Sequence, residues 1–388
     1  MSGRADRPHD GSGPRAGLVI DARALWRSGI GRYTREIAAR LVRRGAFRDV
    51  LLVGNEAELR DWCESERLPN TVRVQRLAGG RYSFASQIGW ARLSAGLPRD
   101  GVVWFPHWDV PLLYAGPPSV VTVHDLIHLR VPGVASPRTK LAVRLLLRVA
   151  TRRAARIVTD AEFTRDDLLA AEPAIAGRID VVPCGVSTRF LLPAAPDEAL
   201  PPGVRTPFLL SVGNRKPHKN LVAAVEVLAI LRREDPALVL VVAGERFPEW
   251  DDVIARAIAL GVADAIVDPL SVSDAQLAAL YRSCECLLFP SRYEGFGLPV
   301  LEAMGCGAPV IASNATSVPE VAGGVALLSD PDDVATMASD VRRVRADGDF
   351  RADLSTRGTA RAASFTWDRA AERIESVLLG ALKGGVAS

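Results

Sequence analysis

The chain has 388 residues, of which 48% are hydrophobic and 24% charged, with 48 Lys or Arg against 45 Asp or Glu. This is the composition of an ordinary soluble globular protein, and its apolar runs are shorter than the roughly 18 residues that a membrane span needs. The length exceeds what one hydrophobic core usually supports, so we expect two domains.

The start of the chain and its cysteines both favour a cytoplasmic protein. Residues 1–15 are polar, rich in Gly and Pro and without an apolar segment, so we expect a disordered tail and not a signal peptide. The five cysteines are odd in number and lie mostly in apolar runs, which favours reduced thiols. Cys284 and Cys286 are separated by one residue, a spacing that fits no common zinc motif.

Short apolar runs alternate with helical patterns over residues 16–190, the expected N-terminal domain. Seven runs predict strands: "GLVIDAR", "DVLLVG", "TVRVQRL", "GVVWFPH", "SVVTVHDL", "ARIVTDA" and "IDVVPCGV". Continuous apolar strands that alternate with helices are typical of a parallel sheet covered on both faces. The fold class is therefore α/β, with a doubly wound, Rossmann-like arrangement.

A second domain of the same type follows a linker. Residues 191–207 contain five prolines and almost no periodicity, which predicts the linker. Over residues 208–365 the runs "FLLSVG", "ALVLVVAG", "AIVDPL", "CLLFPS", "PVIAS" and "ALLSD" predict six more strands. Residues 366–388 have apolar residues at helical spacing. Ligands of such folds lie beyond the carboxyl ends of the strands, so we expect the site in a cleft between the two domains.

The first candidate motif is a glycine pair, Gly29 and Gly31, between a strand end and a helix start. Backbone N–H groups at such a place can approach an anion. A dinucleotide-binding G-x-G-x-x-G motif would need glycine at position 34, which is Thr34, so a nicotinamide or flavin oxidoreductase is disfavoured. A tight turn without a ligand is the alternative.

The second motif, "VTVHDLIH", places His124 at the carboxyl end of an apolar strand, with Asp125 beside it. Histidine can donate a hydrogen bond or move a proton near neutral pH. The alternative is a histidine bonded to loop backbone. His107 has a similar place with weaker support.

The third motif, "SVGNRKPHKN", places Arg215, Lys216 and Lys219 in a strand-to-helix loop. A helix start is already positive, so added cations there are unfavourable unless an anion binds. Simple solvated charges are the alternative. We expect Asn220 to cap the following helix.

The fourth motif, "SRYEGFGLPVLE", sets Glu294 and Glu302 around two glycines, directly after a buried strand. Pro299 suits the first turn of a helix, and Gly295 and Gly297 let backbone amides approach a ligand at the helix start. Two carboxylates beside an anion-binding turn cannot both contact the anion. Each is therefore expected to bind hydroxyl groups of the ligand or to stabilise a positive charge that develops on it.

The long segment "RYEGFGLPVLEAMGCGAPVIASNATSVPEVAG" resembles the signature of the GT-B glycosyltransferases of family 4, a retaining, nucleotide-sugar-dependent group with a Glu-x7-Glu motif. The segments "SGIGRY", "VTVHDL", "VTDAEFTRDDL", "VVPCGV", "VGNRKPHKN" and "FTWDRAA" also resemble family segments, in family order. The resemblance implies the GT-B fold, with a C-terminal helix that crosses back to the N-terminal domain.

The resemblance also implies roles for individual residues. Glu302 would bind the ribose hydroxyls of the donor, and Glu294 would lie at the reacting carbon of its sugar. The donor sugar and diphosphate would contact backbone amides of Gly295, Phe296, Gly297 and Leu298. The remaining donor contacts would come from Lys219 and Arg215 at the diphosphate, Gly29 and Gly31 across the cleft, and Leu270 at the base. His124 would lie near the donor sugar and the acceptor, as a catalytic residue with Glu294.

The implied reaction is glycosyl transfer with retention, either by attack on the face that the diphosphate leaves or through a covalent intermediate on Glu294. No metal or other cofactor is implied for departure of the diphosphate. The run Asp330 to Asp332 spells D-x-D, but it precedes a helix and is expected to form a capping cluster. The donor is expected to carry mannose or a deoxyhexose, for bacterial surface polysaccharide. A binding protein of the same fold without turnover is the alternative.

The acceptor is expected to be a glycan, a lipid-linked sugar or a metabolite, and no nucleic acid partner is expected. Residues 1–190 hold 29 Lys or Arg against 19 Asp or Glu, whereas residues 191–388 hold 19 against 26. A basic stripe at i, i+4 spacing consists of Lys140, Arg144, Arg148 and Arg152. It predicts contact with an anionic membrane, at the inner face, or with a polyprenyl-diphosphate-linked acceptor, and the alternative is a solvated helix face.

Overall fold

The structure is a computed structural model. It describes residues 16–26, 28–78, 83–248 and 250–384. The disordered tail expected at residues 1–15 lies outside the described residues.

The first half of the chain forms a seven-stranded parallel sheet in the order β3-β2-β1-β4-β5-β6-β7. Its strands are β1 Leu18–Asp21, β2 Val50–Gly54, β3 Val72–Arg76, β4 Val102–Phe105, β5 Ser119–Val123, β6 Arg156–Thr159 and β7 Ile179–Val181. The helices are α1 Ser28–Arg44, α2 Glu56–Ser65, α3 Phe84–Ala95, α4 Ile127–Arg130, α5 Pro137–Arg153, α6 Glu162–Ala171 and α7 Thr188–Leu191, with a 3₁₀ turn at Pro173–Ile175.

The second half forms a six-stranded parallel sheet in the order β10-β9-β8-β11-β12-β13. Its strands are β8 Phe208–Val212, β9 Val239–Ala243, β10 Ile266–Val267, β11 Leu287–Phe289, β12 Val310–Ser313 and β13 Leu327–Ser329. The helices are α8 Leu221–Leu231, α9 Trp250–Ala259, α10 Asp274–Ser283, α11 Leu298–Gly305, α12 Val318–Ala322, α13 Val334–Ala346 and α14 Gly348–Ala363, with 3₁₀ turns at Pro217–Lys219 and Ala263–Ala265.

Both sheets are wound in two directions from their first strand. The order reverses between β1 and β4 in one sheet and between β8 and β11 in the other. A ligand crevice forms at such a reversal, outside the carboxyl ends of the strands. The predicted pair of Rossmann-like α/β domains is confirmed, and it places the loops after β8 and β11 side by side.

The core follows from the apolar strands, which are buried on both faces. In the first sheet, Ile20, Leu52 and Trp104 pack on one face, whereas Val103 and Phe105 pack on the other. Successive strand residues point to opposite faces, so a strand such as "VVWF" must be apolar throughout.

The C-terminal helix α15 Trp367–Gly384 returns to the first sheet, where it packs against α1, β4 and β5. Trp367 is buried, and its ring centroid lies 6.2 Å from that of Tyr33. Arg40 on α1 forms an ion pair with Asp368 at 3.1 Å. The expected return of this helix to the N-terminal domain is therefore confirmed.

The proline-rich segment lies between the two sheets. From Leu192 to Pro207 this described segment has no helix or strand, and β8 begins at the next residue. No helix among the described residues combines the length and the apolar character needed to cross a membrane.

Candidate functional site

Glu294 lies in the loop between β11 and α11, and its Oε1 accepts a hydrogen bond of 2.6 Å from Lys219 Nζ. Lys219 ends the 3₁₀ turn that follows β8, and β8 is the neighbour of β11, so the two loops meet. Both side chains are largely buried, at 13% exposed for Lys219 and 11% for Glu294. Gly213 has φ +142°, and a Cβ on it would lie 3.2 Å from Lys219 Cε, so the glycine leaves room for the lysine stem.

The turn from Gly295 to Leu298 connects Glu294 to helix α11. Gly297 is the residue before the helix and has φ +106°, which favours glycine. The Ser317 hydroxyl donates to the carbonyls of Glu294 and Phe296, at 3.0 and 2.9 Å. The Phe296 side chain is buried, so only its backbone is available to a ligand.

Gly295 is also the point where the second domain contacts the first. A Cβ at this position would lie 1.9 Å from the carbonyl oxygen of His124, so only glycine allows the approach. Nearby, the Thr164 hydroxyl donates to the Gly295 carbonyl at 3.0 Å. The Tyr293 hydroxyl donates to Asp167 at 2.9 Å. The Glu-x7-Glu loop is thus held against the N-terminal domain.

Glu302 lies on α11 and is 4% exposed. Its Oε2 accepts a hydrogen bond of 3.1 Å from the Tyr281 hydroxyl, and its Oε1 pairs with the Arg32 guanidinium of α1, in the other domain. Arg32 also pairs with Asp274, the first residue of α10. Burial raises the pKa of the Glu302 carboxyl, although Arg32 and Tyr281 oppose the rise. The sequence reasoning missed Arg32, because an arginine in the second turn of a helix carries no local sign of a partner in another domain.

Arg215 is not part of this group. Its side chain is fully buried, at 0% exposed, and pairs with Asp268. It donates to the Val242 carbonyl at 2.9 Å and lies over the Trp250 ring at 4.1 Å. The direct donor contact expected of Arg215 is not available in this structure, because its guanidinium is already engaged in the domain interior.

Asp268 connects Arg215 to the expected base-binding loop. It accepts a hydrogen bond of 2.9 Å from the backbone N–H of Leu270, which has φ +61° and a side chain that is 55% exposed. Burial alone would raise the pKa of Asp268, but hydrogen bonds from Arg215, Leu270 and Arg246 lower it to about 2. Arg215 therefore holds the carboxylate of Asp268, which in turn accepts the hydrogen bond that fixes the backbone at Leu270.

His124 has both ring nitrogens engaged. Nε2 donates to the Pro106 carbonyl at 2.8 Å, and Nδ1 lies in hydrogen-bond contact with Asp160. Burial would lower the pKa of His124, but Asp160 and the Pro106 carbonyl raise it above its ordinary value. Both ring nitrogens face acceptors, so the structure does not point a free imidazole nitrogen at the cleft. Asp160 is a second residue that the sequence reasoning missed.

Gly29 and Gly31 were expected in the loop before α1. The structure places both of them in the first turn of the helix, which begins at Ser28. A Cβ on Gly31 would lie 2.5 Å from the Leu25 carbonyl oxygen, whereas a Cβ on Gly29 would meet open space. Thr34 is buried, and its hydroxyl donates to the Ile30 carbonyl at 2.8 Å. The tight turn explains Gly31, and Gly29 alone leaves space for a ligand.

Two smaller predictions need correction. Asn220 precedes α8 in a left-handed conformation, but its amide donates to the Pro331 carbonyl at 2.7 Å and does not cap the helix. Helix α13 is capped by Asp333, whose carboxylate accepts from the Thr336 N–H at 3.0 Å, and not by the D-x-D run. Within the described ranges, no group of three His, Cys, Asp or Glu side chains could hold a metal ion.

The basic stripe lies on α5 and is partly neutralised. Arg148 and Arg152 pair with Glu172 at 3.0 and 2.7 Å. On the same helix Leu141 and Leu145 are exposed, at 57% and 55%.

Two protein-family descriptions match this chain, one over each half. The family described as Glycosyltransferase Family 4 matches residues 27–190, and the family described as Glycosyl transferases group 1 matches residues 197–361. The O-antigen chain mannosyltransferase B of Escherichia coli is 31% identical over 257 residues, which cover 64% of this chain and 67% of that protein. The serotype-specific mannosyltransferase WbdA of Escherichia coli is 35% identical over 163 residues, which are 41% of this chain but only 20% of that protein.

A solved structure shows the same fold. The crystal structure of Anabaena Alr3699/HepE in complex with UDP and glucose superposes with a TM-score of 0.74 at 18% identity, over 94% of this chain and 100% of that chain. Together with the family matches, this shows that the chain belongs to the family 4 glycosyltransferases and has the GT-B fold.

Proposed function

We propose that this glycosyltransferase moves a hexose from a nucleotide-diphosphate sugar to a hydroxyl of a glycan, with retention at the anomeric carbon. The observation that carries the proposal is the pair of buried carboxylates, Glu294 directly before the glycine turn and Glu302 one helical turn after it, each held by a cation. A sugar nucleotide offers two sets of hydroxyls with a diphosphate between them, which matches this order of groups.

The donor is placed by the second domain. Glu302 accepts hydrogen bonds from the ribose hydroxyls, and the backbone at Leu270 lies against the base. The diphosphate lies at the amides of Gly295 to Leu298, where the N-terminus of α11 and Lys219 favour negative charge. These groups stabilise the diphosphate as it departs, and we propose that departure needs no divalent metal.

Glu294 faces the reacting sugar. A carboxylate there can accept hydrogen bonds from sugar hydroxyls and stabilise the positive charge that develops at the anomeric carbon. His124 orients the acceptor side through its ring and is not a free base, because both of its nitrogens are engaged. The departing diphosphate, and not His124, then takes the proton of the acceptor hydroxyl on the same face.

Mannose is the donor sugar that we propose first, because two related proteins are named mannosyltransferases. The test is a transfer assay with GDP-mannose, GDP-fucose, UDP-glucose and dTDP-rhamnose and a mannose-terminated oligosaccharide, with and without EDTA. We expect an α-mannoside from GDP-mannose, identified by NMR at the anomeric proton, at the same rate in EDTA. A β-mannoside would refute retention, and the absence of transfer from every donor would refute the function.

We also propose that the enzyme contacts an anionic membrane, at its cytoplasmic face, through α5. The helix exposes Leu141 and Leu145 beside Lys140 and Arg144, a combination that suits an interfacial helix. Each basic residue near an anionic surface contributes about 1 kcal/mol. Because Arg148 and Arg152 are paired with Glu172, we assign the attraction to Lys140 and Arg144.

The membrane contact is tested by sedimentation with vesicles of phosphatidylcholine containing 30% phosphatidylglycerol. Reversal of both charges, Lys140→Glu with Arg144→Glu, should weaken binding roughly 30-fold or more. The matched control is Arg357→Glu on α14, which removes a similarly exposed arginine from the second domain. Equal binding of the double variant and the control would refute the contact.

A further inference from the structure

The donor site neutralises its own charges in this structure. Glu294 is paired with Lys219, and Glu302 is paired with Arg32. The pair of Glu294 and Lys219 lies directly before the turn from Gly295 to Leu298, where the diphosphate is proposed to bind. The pair of Glu302 and Arg32 lies one helical turn into α11, after it.

Arg32 extends from one domain into the other. It is the fifth residue of α1, and its side chain is 20% exposed. Both of its carboxylate partners, Glu302 and Asp274, belong to the second domain. The next arginine of the helix, Arg35, instead donates to the Leu25 carbonyl and lies over the Trp26 ring, within its own domain.

Glu302 cannot hold a ribose in this arrangement. One carboxylate oxygen is engaged by Arg32 and the other by Tyr281, and the side chain is 5% exposed. Ribose hydroxyls can reach the carboxylate only if Arg32 moves away. Its guanidinium then keeps Asp274, whose side chain is 55% exposed, as its carboxylate partner.

Of the three cations that the sequence places in the loop after β8, Lys219 alone pairs with Glu294, whereas Lys216 lies over the Phe247 ring. Lys219 is in place, but Arg215 is fully buried against Asp268. A guanidinium matches two phosphate oxygens in a bidentate contact, which a lysine cannot form.

We propose that Arg32 is a diphosphate-binding residue that exchanges Glu302 for the donor; this rests on the proposed function of the site. The ribose hydroxyls take the place of Arg32 on Glu302, and the sugar hydroxyls take the place of Lys219 on Glu294. The two released cations then hold the diphosphate between them. The donor thus offers a new partner to each member of the two ion pairs, and Asp274, which is 55% exposed, is left to solvent, so no buried charge is left unpaired.

The test compares binding of a nucleoside diphosphate with binding of its nucleoside, by calorimetry. The probe is whichever of GDP, UDP, dTDP and ADP binds the unmodified enzyme most tightly. Arg32→Gln should bind the diphosphate at least 10-fold more weakly, a loss of about 1.4 kcal/mol. It should bind the nucleoside equally or more tightly, because Glu302 becomes accessible. Arg32→Lys, which keeps the charge without the bidentate geometry, should recover part of the diphosphate affinity.

The matched control is Arg43→Gln, which removes one positive charge from the same helix at an exposed ion pair with Glu66. It should change neither affinity. Diphosphate binding by Arg32→Gln that is equal to or tighter than that of the unmodified enzyme would overturn the exchange and leave Arg32 only as an obstruction. If the unmodified enzyme binds none of the four diphosphates, the proposed function fails, and the exchange fails with it.

Discussion

The buried pair of Arg215 and Asp268 gives a stability prediction that the fold alone would not suggest. We consider Asp268→Asn, which keeps the side-chain shape but removes the charge. The Arg215 side chain is 0% exposed, so the substitution leaves a guanidinium in the interior without its carboxylate. Removal of one partner of a buried ion pair costs about 3–5 kcal/mol. Asn keeps one oxygen that can accept a hydrogen bond, so we expect a loss of about 3 kcal/mol, at the lower end of that range.

A matched surface pair provides the control. Asp264 pairs with Arg232 at 3.3 Å in the same domain, but it is 72% exposed. Asp264→Asn should therefore cost about 0–1 kcal/mol. The assay is urea unfolding followed by circular dichroism and tryptophan fluorescence, with the unfolding free energy taken from the second-domain transition. Losses that agree within about 1 kcal/mol for the two variants would refute the reasoning.

The same pair predicts a pH dependence. The pKa of Asp268 is lowered to about 2, from an ordinary value near 4. A carboxyl whose pKa is lower in the folded state contributes its full stability above its unfolded pKa and loses it as the pH falls. The difference in unfolding free energy between the unmodified protein and Asp268→Asn should therefore be constant above about pH 4 and shrink towards pH 2.

Two further predictions concern the approach of Gly295 to the N-terminal domain and the pKa of His124. Gly295→Ala places a Cβ 1.9 Å from the His124 carbonyl oxygen, so the loop must withdraw and transfer should fall about 100-fold. Gly348→Ala, which meets open space, is its control, and equal rates for the two variants would contradict the close approach. Asp160→Asn removes the carboxylate that raises the pKa of His124 against its burial, so this pKa should fall in an NMR titration of the imidazole. The stability that the contact between His124 and Asp160 contributes is present at low pH and is lost as the pH rises through the folded-state pKa of His124. An unchanged titration of His124 in Asp160→Asn would show that Asp160 does not raise this pKa.

The sheets were predictable because burial on both faces leaves a strong local signal. A run such as "VLVVA", which forms β9, is apolar at every position, and a parallel strand between two helical layers requires this. The turn at Gly295 was predictable for a related reason. The glycine stands next to a helix start and between two acids, which is a pattern visible in the local sequence. The close approach of Gly295 to the His124 carbonyl explains why the residue is glycine.

The partners of the charged residues were not predictable in the same way. Arg215 stands three residues after β8, where the sequence shows only a cation in a loop, and its partner Asp268 is 53 residues further along the chain. Arg32 and Glu302 are separated by 270 residues and belong to different domains. A charge in a sequence indicates that a partner is needed, but which carboxylate is near is decided by the packing of the two sheets.

The most direct test of the central claim is the rate of sugar transfer by Glu294→Ala, compared with the unmodified enzyme at saturating donor. The account predicts a loss of roughly 100-fold or more, because the carboxylate stabilises charge at the reacting carbon. Because Glu294→Ala leaves the largely buried Lys219 without its carboxylate, the folded state of the variant is checked by circular dichroism before the rates are compared. Transfer by Glu294→Ala at the rate of the unmodified enzyme would contradict the account.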